Sequence, residues 1–452
     1  MSEEGYNISI PLIPKDYAYE DYVAAILNLG GYYLERGIHK RAGKDILELD
    51  IVTNKFNNKG VEKTISEIKS GGWGFPEIFK VRGWMDYLHF NHASFVVQIP
   101  DDKESIYEGI SNQLGINLIA TEQKGDRLND ANLKKIYNIP IVPHEQEALS
   151  NLRFSFALER KLINDIRATS RSMNGFVVLK DYLFDLIDNT FFVSEPVDRL
   201  QKVFDLFSEH YHITSRLDQE NKETTYDATD KDADISKDTF RELFFNHEQP
   251  NKLYGALYVE MQNRLSVLKY ITEDILMPQK EKSIDKIINN MKHFGLASNL
   301  NSGIQTLKEH PYFYLYPYFW QIFIYLFGGF IMLDKKDEEY HLMSNITGIP
   351  VTEIDNAFSA FDILFPISNG WMMNVPHTHI RVLKFISSPF CGIGVNFRKS
   401  IYCPNKKLEE LQKVSNYLYT YNELIRYNNL AYNYLKKSKD VVLSPAEKVE
   451  SE

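Results

Sequence analysis

Apolar residues recur at three- and four-residue spacing from about Asp16 to Glu35. Tyr19, Tyr22, Val23, Ile26, Leu27, Gly30, Tyr33 and Leu34 fall on one side, which predicts an amphipathic helix packed on a core. The period then shortens to two. A short strand is expected near Gly37 to Arg41, followed by strands over 46–53 and 63–69, joined by the turn "NKFNNKG", whose Asn and Gly residues tolerate left-handed backbone. A helix from about Pro76 to Asn91 follows, with Pro in its first turn. "SFVVQIP" reads as a buried strand, "DKESIYEGISNQLG" as a helix ended by Gly115, and "INLIAT" as a second buried strand. Alternation of this kind predicts an α/β domain over residues 1–145, a central mixed sheet flanked by helices.

Beyond residue 145 long helical patterns dominate, and an α-helical domain is expected over 146–335. Within it, residues 218–238 hold eight acids against three lysines, the composition of a mobile acidic loop. Asp230, Asp232 and Asp234 have the alternate spacing of a calcium loop, but Ile235 stands where Gly is needed and Arg241 where Glu belongs. Residues 336–403 read as helix, tight Gly-Ile-Pro turn, helix and two strands, resembling a winged helix-turn-helix. The second helix carries Glu353, Asp355 and Asp362 and no Lys or Arg, so contact with protein is expected there rather than with a DNA groove. An amphipathic helix and a polar tail complete residues 404–452.

One segment needs a membrane test. "YFYLYPYFWQIFIYLFGGFIML" (312–333) has no charge, but Pro317 leaves an unbroken helical part of 318–333. That is shorter than the roughly 20 residues a span requires, so a buried aromatic core helix is expected. The acidic start of the chain lacks the basic and apolar regions of a signal peptide, and Cys391 and Cys403 form no disulfide framework or zinc pattern. A cytoplasmic protein without membrane contact is expected. At 44% hydrophobic and 25% charged the chain is globular, and a formal charge of −10 argues against coating nucleic acid by bulk electrostatics. Any such contact must be local.

The stretch "DILELDIVTNKFNNKGVEKTISEIKSGG" (45–72) offers that locality. Alternation along a strand puts Glu48 and Asp50 on one face of the first strand, and Ile65, Glu67 and Lys69 on one face of the second. Pairing through the turn would set Asp50 beside Glu67 and Lys69. Two carboxylates about 4 Å apart repel by on the order of 4 kcal/mol at an effective dielectric of about 20, so such a cluster requires a cation. Oxygen ligands without Cys or His suit Mg²⁺ or Mn²⁺, with a phosphate completing the shell. Lys69 would then position a water or offset negative charge.

The order of a helix bearing Glu20, then "ELDIV", "SEIKSG", a helix and "FVVQI" resembles the PD-(D/E)xK nuclease superfamily, especially its restriction-endonuclease-like and Holliday-junction-resolvase-like branches. The resemblance covers roughly the first 120 residues. It implies a core of helix, three strands, helix and strand, in which Asp50, Glu67 and the carbonyl of Ile68 bind the metal and Lys69 is catalytic. Those branches also carry a Glu on the first helix. Glu20 is the best candidate, since it borders the apolar face, while Asp21 and Glu35 are expected to face solvent. The pattern departs from the named motif in having Leu49, not Pro, before Asp50. Glu48 is expected to be a solvated neighbour rather than a fourth ligand.

Between Arg36 and Arg82 ten Lys and Arg stand against six Asp and Glu. Lys80, Trp84 and Tyr87 line one side of the following helix, and with Lys40 and Arg41 are candidates for contact with nucleic acid. The competing reading packs Trp84 and Tyr87 on the helical region. The pairs His377 and His379, and His210 and His212, lack a third ligand, and there is no nucleophile elbow or phosphate loop. The sequence thus predicts a Mg²⁺-dependent endonuclease acting on DNA, or on RNA. By fold-level analogy it would be the effector subunit of a prokaryotic defence or repair assembly, with a protein partner or a second copy docked through the C-terminal helical region. The alternative is a non-catalytic assembly or regulatory protein with a degenerate nuclease fold.

Overall fold

The computed structural model describes residues 10–41, 45–98, 104–125, 127–141, 145–168, 188–203, 250–278, 294–327, 330–332, 336–364 and 380–383, with a few shorter pieces between them. The chain forms two compact units, one built on residues 7–157 and the other on the chain from Leu158.

The first unit begins with helix α1 (Tyr17–Leu29), strands β1 (Tyr33–Arg41), β2 (Asp45–Asn57) and β3 (Gly60–Lys69), helix α2 (Phe75–Leu88) and strand β4 (His92–Gln98). It continues through α3 (Glu104–Gln113), β5 (Ile116–Lys124), β6 (Arg127–Asn129) and α4 (Ala131–Ile136), and ends inside helix α5 (Glu145–Arg167), at Ala157. The six strands form one mixed sheet in sequence order. β1, β2 and β3 are antiparallel, β3, β4 and β5 parallel through the crossover helices α2 and α3, and β6 returns antiparallel. The expected mixed sheet flanked by helices is therefore present, with a helical region after it.

Strands buried on both faces need unbroken apolar runs, and the parallel part supplies them: Phe95, Val96, Val97 and Ile119 have no exposed surface. Hydroxyl groups among them are paired. The Tyr137 hydroxyl lies 2.9 Å from Ser66 Oγ on β3 and donates to Ser94 Oγ on β4, and the Tyr19 hydroxyl meets Thr121 Oγ1 at 2.7 Å. An uncompensated hydroxyl there would cost about 1–3 kcal/mol.

Three boundaries differ from expectation. The first helix stops at Leu29, not near Glu35: Gly31 takes φ 94°, the Tyr32 N–H donates to the Leu27 carbonyl, and Tyr33 and Leu34 begin β1. Left-handed backbone ends a helix more strongly than continued apolar spacing extends it. The turn between β2 and β3 is tighter than "NKFNNKG", with Asn57 opposite Gly60 and the Asn57 side chain accepting from the N–H groups of Lys59 and Gly60. The uncharged segment forms a ten-residue helix, Tyr316–Tyr325, buried throughout, and then a strand at Phe330–Met332, where helix was expected to 333. Among the described residues no helix is long and apolar enough to cross a membrane.

In the second unit, helix Pro250–Ile271 runs into a π-helical turn, Thr272–Leu276, beside which Arg199 grips Asp274 through two bonds of 3.0 and 2.6 Å. Helix Phe294–Lys308 crosses helix Ile354–Leu364 so closely that a Cβ on Gly303 would lie 3.0 Å from the Leu364 backbone. The Trp320 indole donates to the Ala357 carbonyl at 2.9 Å, and its ring meets Phe319, Phe323 and Phe358 edge-on. The two helices of the expected winged module occupy Lys336–Thr347 and Ile354–Leu364. Of its strands, Ile380–Leu383 pairs with both Asn374–Val375 and Phe330–Met332. The expected strand near 391–397, the helix over 405–437, the His377/His379 and His210/His212 pairs, and all of the acidic loop except the paired two-residue strands Tyr226–Asp227 and Asp234–Ile235 lie outside the described residues.

Candidate active site

At the end of the β2–β3 ladder Ile51 stands opposite Ser66, which leaves Asp50 and Glu67 next in line. Asp50 Oδ2 accepts the Ile68 backbone N–H at 2.9 Å. Lys69 Nζ lies 2.8 Å from Glu67 Oε1 and 3.8 Å from Asp50 Oδ2. The strand pair thus brings together the three residues that alternation assigned to it. β2 and β3 are interior strands, so this cluster sits within the sheet and not on an edge.

Glu20 reaches the cluster electrostatically from the first turn of α1: its charge acts on both Asp50 and Lys69. A clamp sets that helix start. The Asp16 N–H donates to Ser70 Oγ at 2.6 Å, and Asp16 adopts φ 48° to do so, tying the residue after Lys69 to the residue before α1. Neither Asp16 nor Ser70 is singled out by its sequence pattern. Asp21, expected to face solvent, is instead turned inward. It is 3% exposed and paired with Arg36 of β1 at 3.4 Å, and the Arg36 guanidinium in turn lies 3.8 Å above the Phe156 ring. Glu35 is also turned to a partner, accepting from Asn54 at 3.0 Å. Glu48 is half-exposed and lies 3.6 Å from His39 Nε2.

Burial is the main force raising the Asp50 pKa well above the ordinary carboxylate value, and the charges of Glu67 and Glu20 add to it. Lys69 and the Ile68 N–H oppose the shift without cancelling it. For Lys69, burial alone would lower the pKa, but Asp50, Glu67 and Glu20 together outweigh it and hold the side chain as an ammonium.

A second ammonium was expected only as a contact for nucleic acid. Lys80 on α2 lies 3.2 Å from the same Glu67 Oε1 and 4.2 Å above the Trp84 ring. Trp84 itself is buried, while Tyr87 is exposed and carries Lys40 against its hydroxyl. Nothing is described of the Arg41 side chain.

The donor set suits a hard divalent cation by type: two carboxylates and the Ile68 carbonyl, with no sulfur or imidazole. Glu67 is 1% exposed, and its Oε2 is buried without a hydrogen-bond partner. Acceptors in that position are normally satisfied, and a cation is one way to do it. Among the described residues no group of three or more His, Cys, Asp and Glu is arranged to hold a metal ion.

The two acids of α1 separate by experiment. If a divalent cation binds at this cluster, Glu20→Gln should lower its affinity. Asp21→Asn should leave that affinity in place and lower stability by about 1–3 kcal/mol, through the Arg36 pair. Isothermal titration with Mn²⁺ and urea unfolding read the two effects, and equal loss of metal affinity would mean that Glu20 has no special place. No family model, curated protein or solved structure matches the chain.

Proposed function

We propose that the first unit is a metal-dependent endonuclease of the PD-(D/E)xK kind, hydrolysing phosphodiester bonds of DNA or RNA. The observation that carries this reading is the convergence of Asp50, Glu67 and Lys69 on two adjacent interior strands, with Glu20 acting on the same point. Asp50, Glu67 and the Ile68 carbonyl would hold Mg²⁺ or Mn²⁺. When bound, such an ion polarises the phosphoryl oxygen and lowers the pKa of a water near it.

The chain's own groups divide the remaining work. Lys69, kept protonated by its acidic neighbours, serves as a donor and not as a base: it orients the attacking water or holds a non-bridging oxygen as charge builds there. Hydrolysis forms a bond from water oxygen to phosphorus and breaks the bond to the ester oxygen, which leaves with a proton. Lys80 shares the Glu67 oxygen with Lys69, so two ammonium groups face the same carboxylate oxygen. The protein's place as the effector subunit of a prokaryotic defence or repair assembly, docked on a partner through its helical region, belongs to the same proposal and rests on fold-level analogy.

Supercoiled plasmid and labelled RNA incubated with the full chain in Mg²⁺, Mn²⁺ or EDTA give the test. Cleavage in either metal, none in EDTA, and a loss of at least about 100-fold in Asp50→Asn are expected. Absence of cleavage under every condition, with Asp50→Asn indistinguishable from wild type, would sink the nuclease reading and favour a non-catalytic assembly protein.

A further inference from the structure

Helix α2 turns outward a face that the packing of the first unit does not use. Ile78, Val81, Trp84 and Met85 point inward and are buried. Phe79 and Tyr87, 55% and 51% exposed, stand eight residues apart with exposed Gly83 midway, so the three form one line along the helix. The two rings are about 12 Å apart along the axis. Each has an ammonium at its side. Lys80, next to Phe79, reaches Glu67 Oε1 at 3.2 Å, and Lys40 of β1 meets the Tyr87 hydroxyl and lies 4.7 Å over its ring. The acids of the helix are engaged elsewhere: Glu77 accepts from the Gly74 N–H and Asp86 from Arg82. The face therefore presents aromatic surface and positive charge, and its Phe79 end borders the candidate active site through Lys80.

We infer that this face is a track for single-stranded nucleic acid, with bases stacked on Phe79 and Tyr87 and phosphates beside Lys40 and Lys80. The inference rests on the nuclease reading and narrows its substrate to unpaired strands. In a duplex both faces of each base are already stacked on neighbours, leaving nothing for an exposed ring to receive, whereas unpaired bases offer a free π-face. Groove reading needs side chains such as Arg, Lys, Asn or Gln directed at base edges, and on this helix Arg82 is bound to Asp86 and to the Leu114 carbonyl while Lys80 reaches back to Glu67. Two separated rings flanked by ammonium groups also lack the continuous apolar patch that a protein partner would bury. Gly83 supplies the gap between the rings, and a Cβ there would meet nothing within 4 Å.

The test uses the full chain carrying Asp50→Asn in EDTA, so that binding is read without cleavage. Fluorescence anisotropy would compare a labelled single-stranded DNA, the same sequence as RNA, and its DNA duplex. The inference expects at least one single strand to bind more tightly than the duplex. It expects Phe79→Ala and Tyr87→Ala each to weaken that binding by about tenfold, and Phe79→Trp to restore it. Gly83→Glu, which fills open space, should weaken binding with an unchanged circular dichroism spectrum, and Lys40→Gln should lower the salt slope by about 0.7. Whichever of DNA or RNA binds more tightly identifies the sugar. Equal binding of duplex and single strand, or full affinity in both Phe79→Ala and Gly83→Glu, would overturn the track. Cleavage by the wild-type chain that ignores Phe79 would remove the track and keep the nuclease. Phe79-dependent binding without any cleavage would do the reverse.

Discussion

Replacing Asp50 with Asn should make the metal-free protein more stable at neutral pH, not less. Burial, Glu67 and Glu20 raise the Asp50 pKa in the folded chain above its ordinary value, so between the two values the folded state binds the extra proton. The contribution of Asp50 to stability is then greatest below about pH 4, where the carboxyl is protonated in both states, and falls as pH rises through the folded pKa. Asn keeps an oxygen for the Ile68 N–H and carries no charge. Thermal unfolding in EDTA at pH 7 should show Asp50→Asn melting about 2–4 °C above wild type, with the gain vanishing towards pH 4. Adding Mn²⁺ should reverse the order, since binding at about 100 times Kd stabilises by roughly 2.7 kcal/mol and the variant has lost a ligand. A variant that melts below wild type at pH 7 without metal would show that the carboxylate is comfortable where it lies and that no cation is called for.

The second large effect belongs to the other unit. Trp320 has no exposed surface, packs edge-on against three phenylalanine rings and satisfies the Ala357 carbonyl. Trp320→Ala should cost about 3–5 kcal/mol, as the cavity lies between elements that Phe358 and Ala357 hold in place. Trp320→Phe should cost less and lose mainly the hydrogen bond, worth about 1 kcal/mol. Urea unfolding followed by far-ultraviolet circular dichroism measures both. A Trp320→Ala loss below about 1 kcal/mol would mean that the aromatic cluster does not support the unit. The same contacts bear on any truncation made to find a docking partner. Removing residues from 338 onward strips Phe358 and Ala357 away from Trp320, so the remainder would expose an apolar face and bind proteins without specificity.

Alternation alone located Asp50, Glu67 and Lys69, because a period of two is imposed by the strand backbone and a hairpin fixes register. Glu20 rests on a weaker reason: the resemblance implies a Glu on the first helix, and Glu20 borders its apolar stripe. The same argument failed for Asp21 one residue later. Its partner, Arg36, comes from a strand whose start the stripe had absorbed into the helix, and only the paired glycines at 30 and 31 signalled the break. Lys80 was visible as a charge but not as a partner of Glu67, since periodicity says nothing about reach between elements. On α2 the pattern shows that residues share a side and not which side meets the sheet: Trp84 is buried, while Phe79 and Tyr87 are exposed.

The hydrogen bonds around the candidate site differ sharply in how far they reach along the chain. Asp50 and Ile68 are 18 residues apart, and Glu67 and Lys80 are 13 apart. Tyr137 returns across 71 residues to Ser66, and Tyr19 spans 102 to Thr121. The cost of closing a loop grows with its length, so the crowded carboxylates meet through cheaper closures than the bonds that seal the surrounding sheet. Conflict is thus encoded locally and restraint at a distance. During synthesis the acidic strand pair and both of its lysines emerge well before Tyr137, so the hairpin must persist for a time with its charges already gathered and its far-reaching seal not yet made.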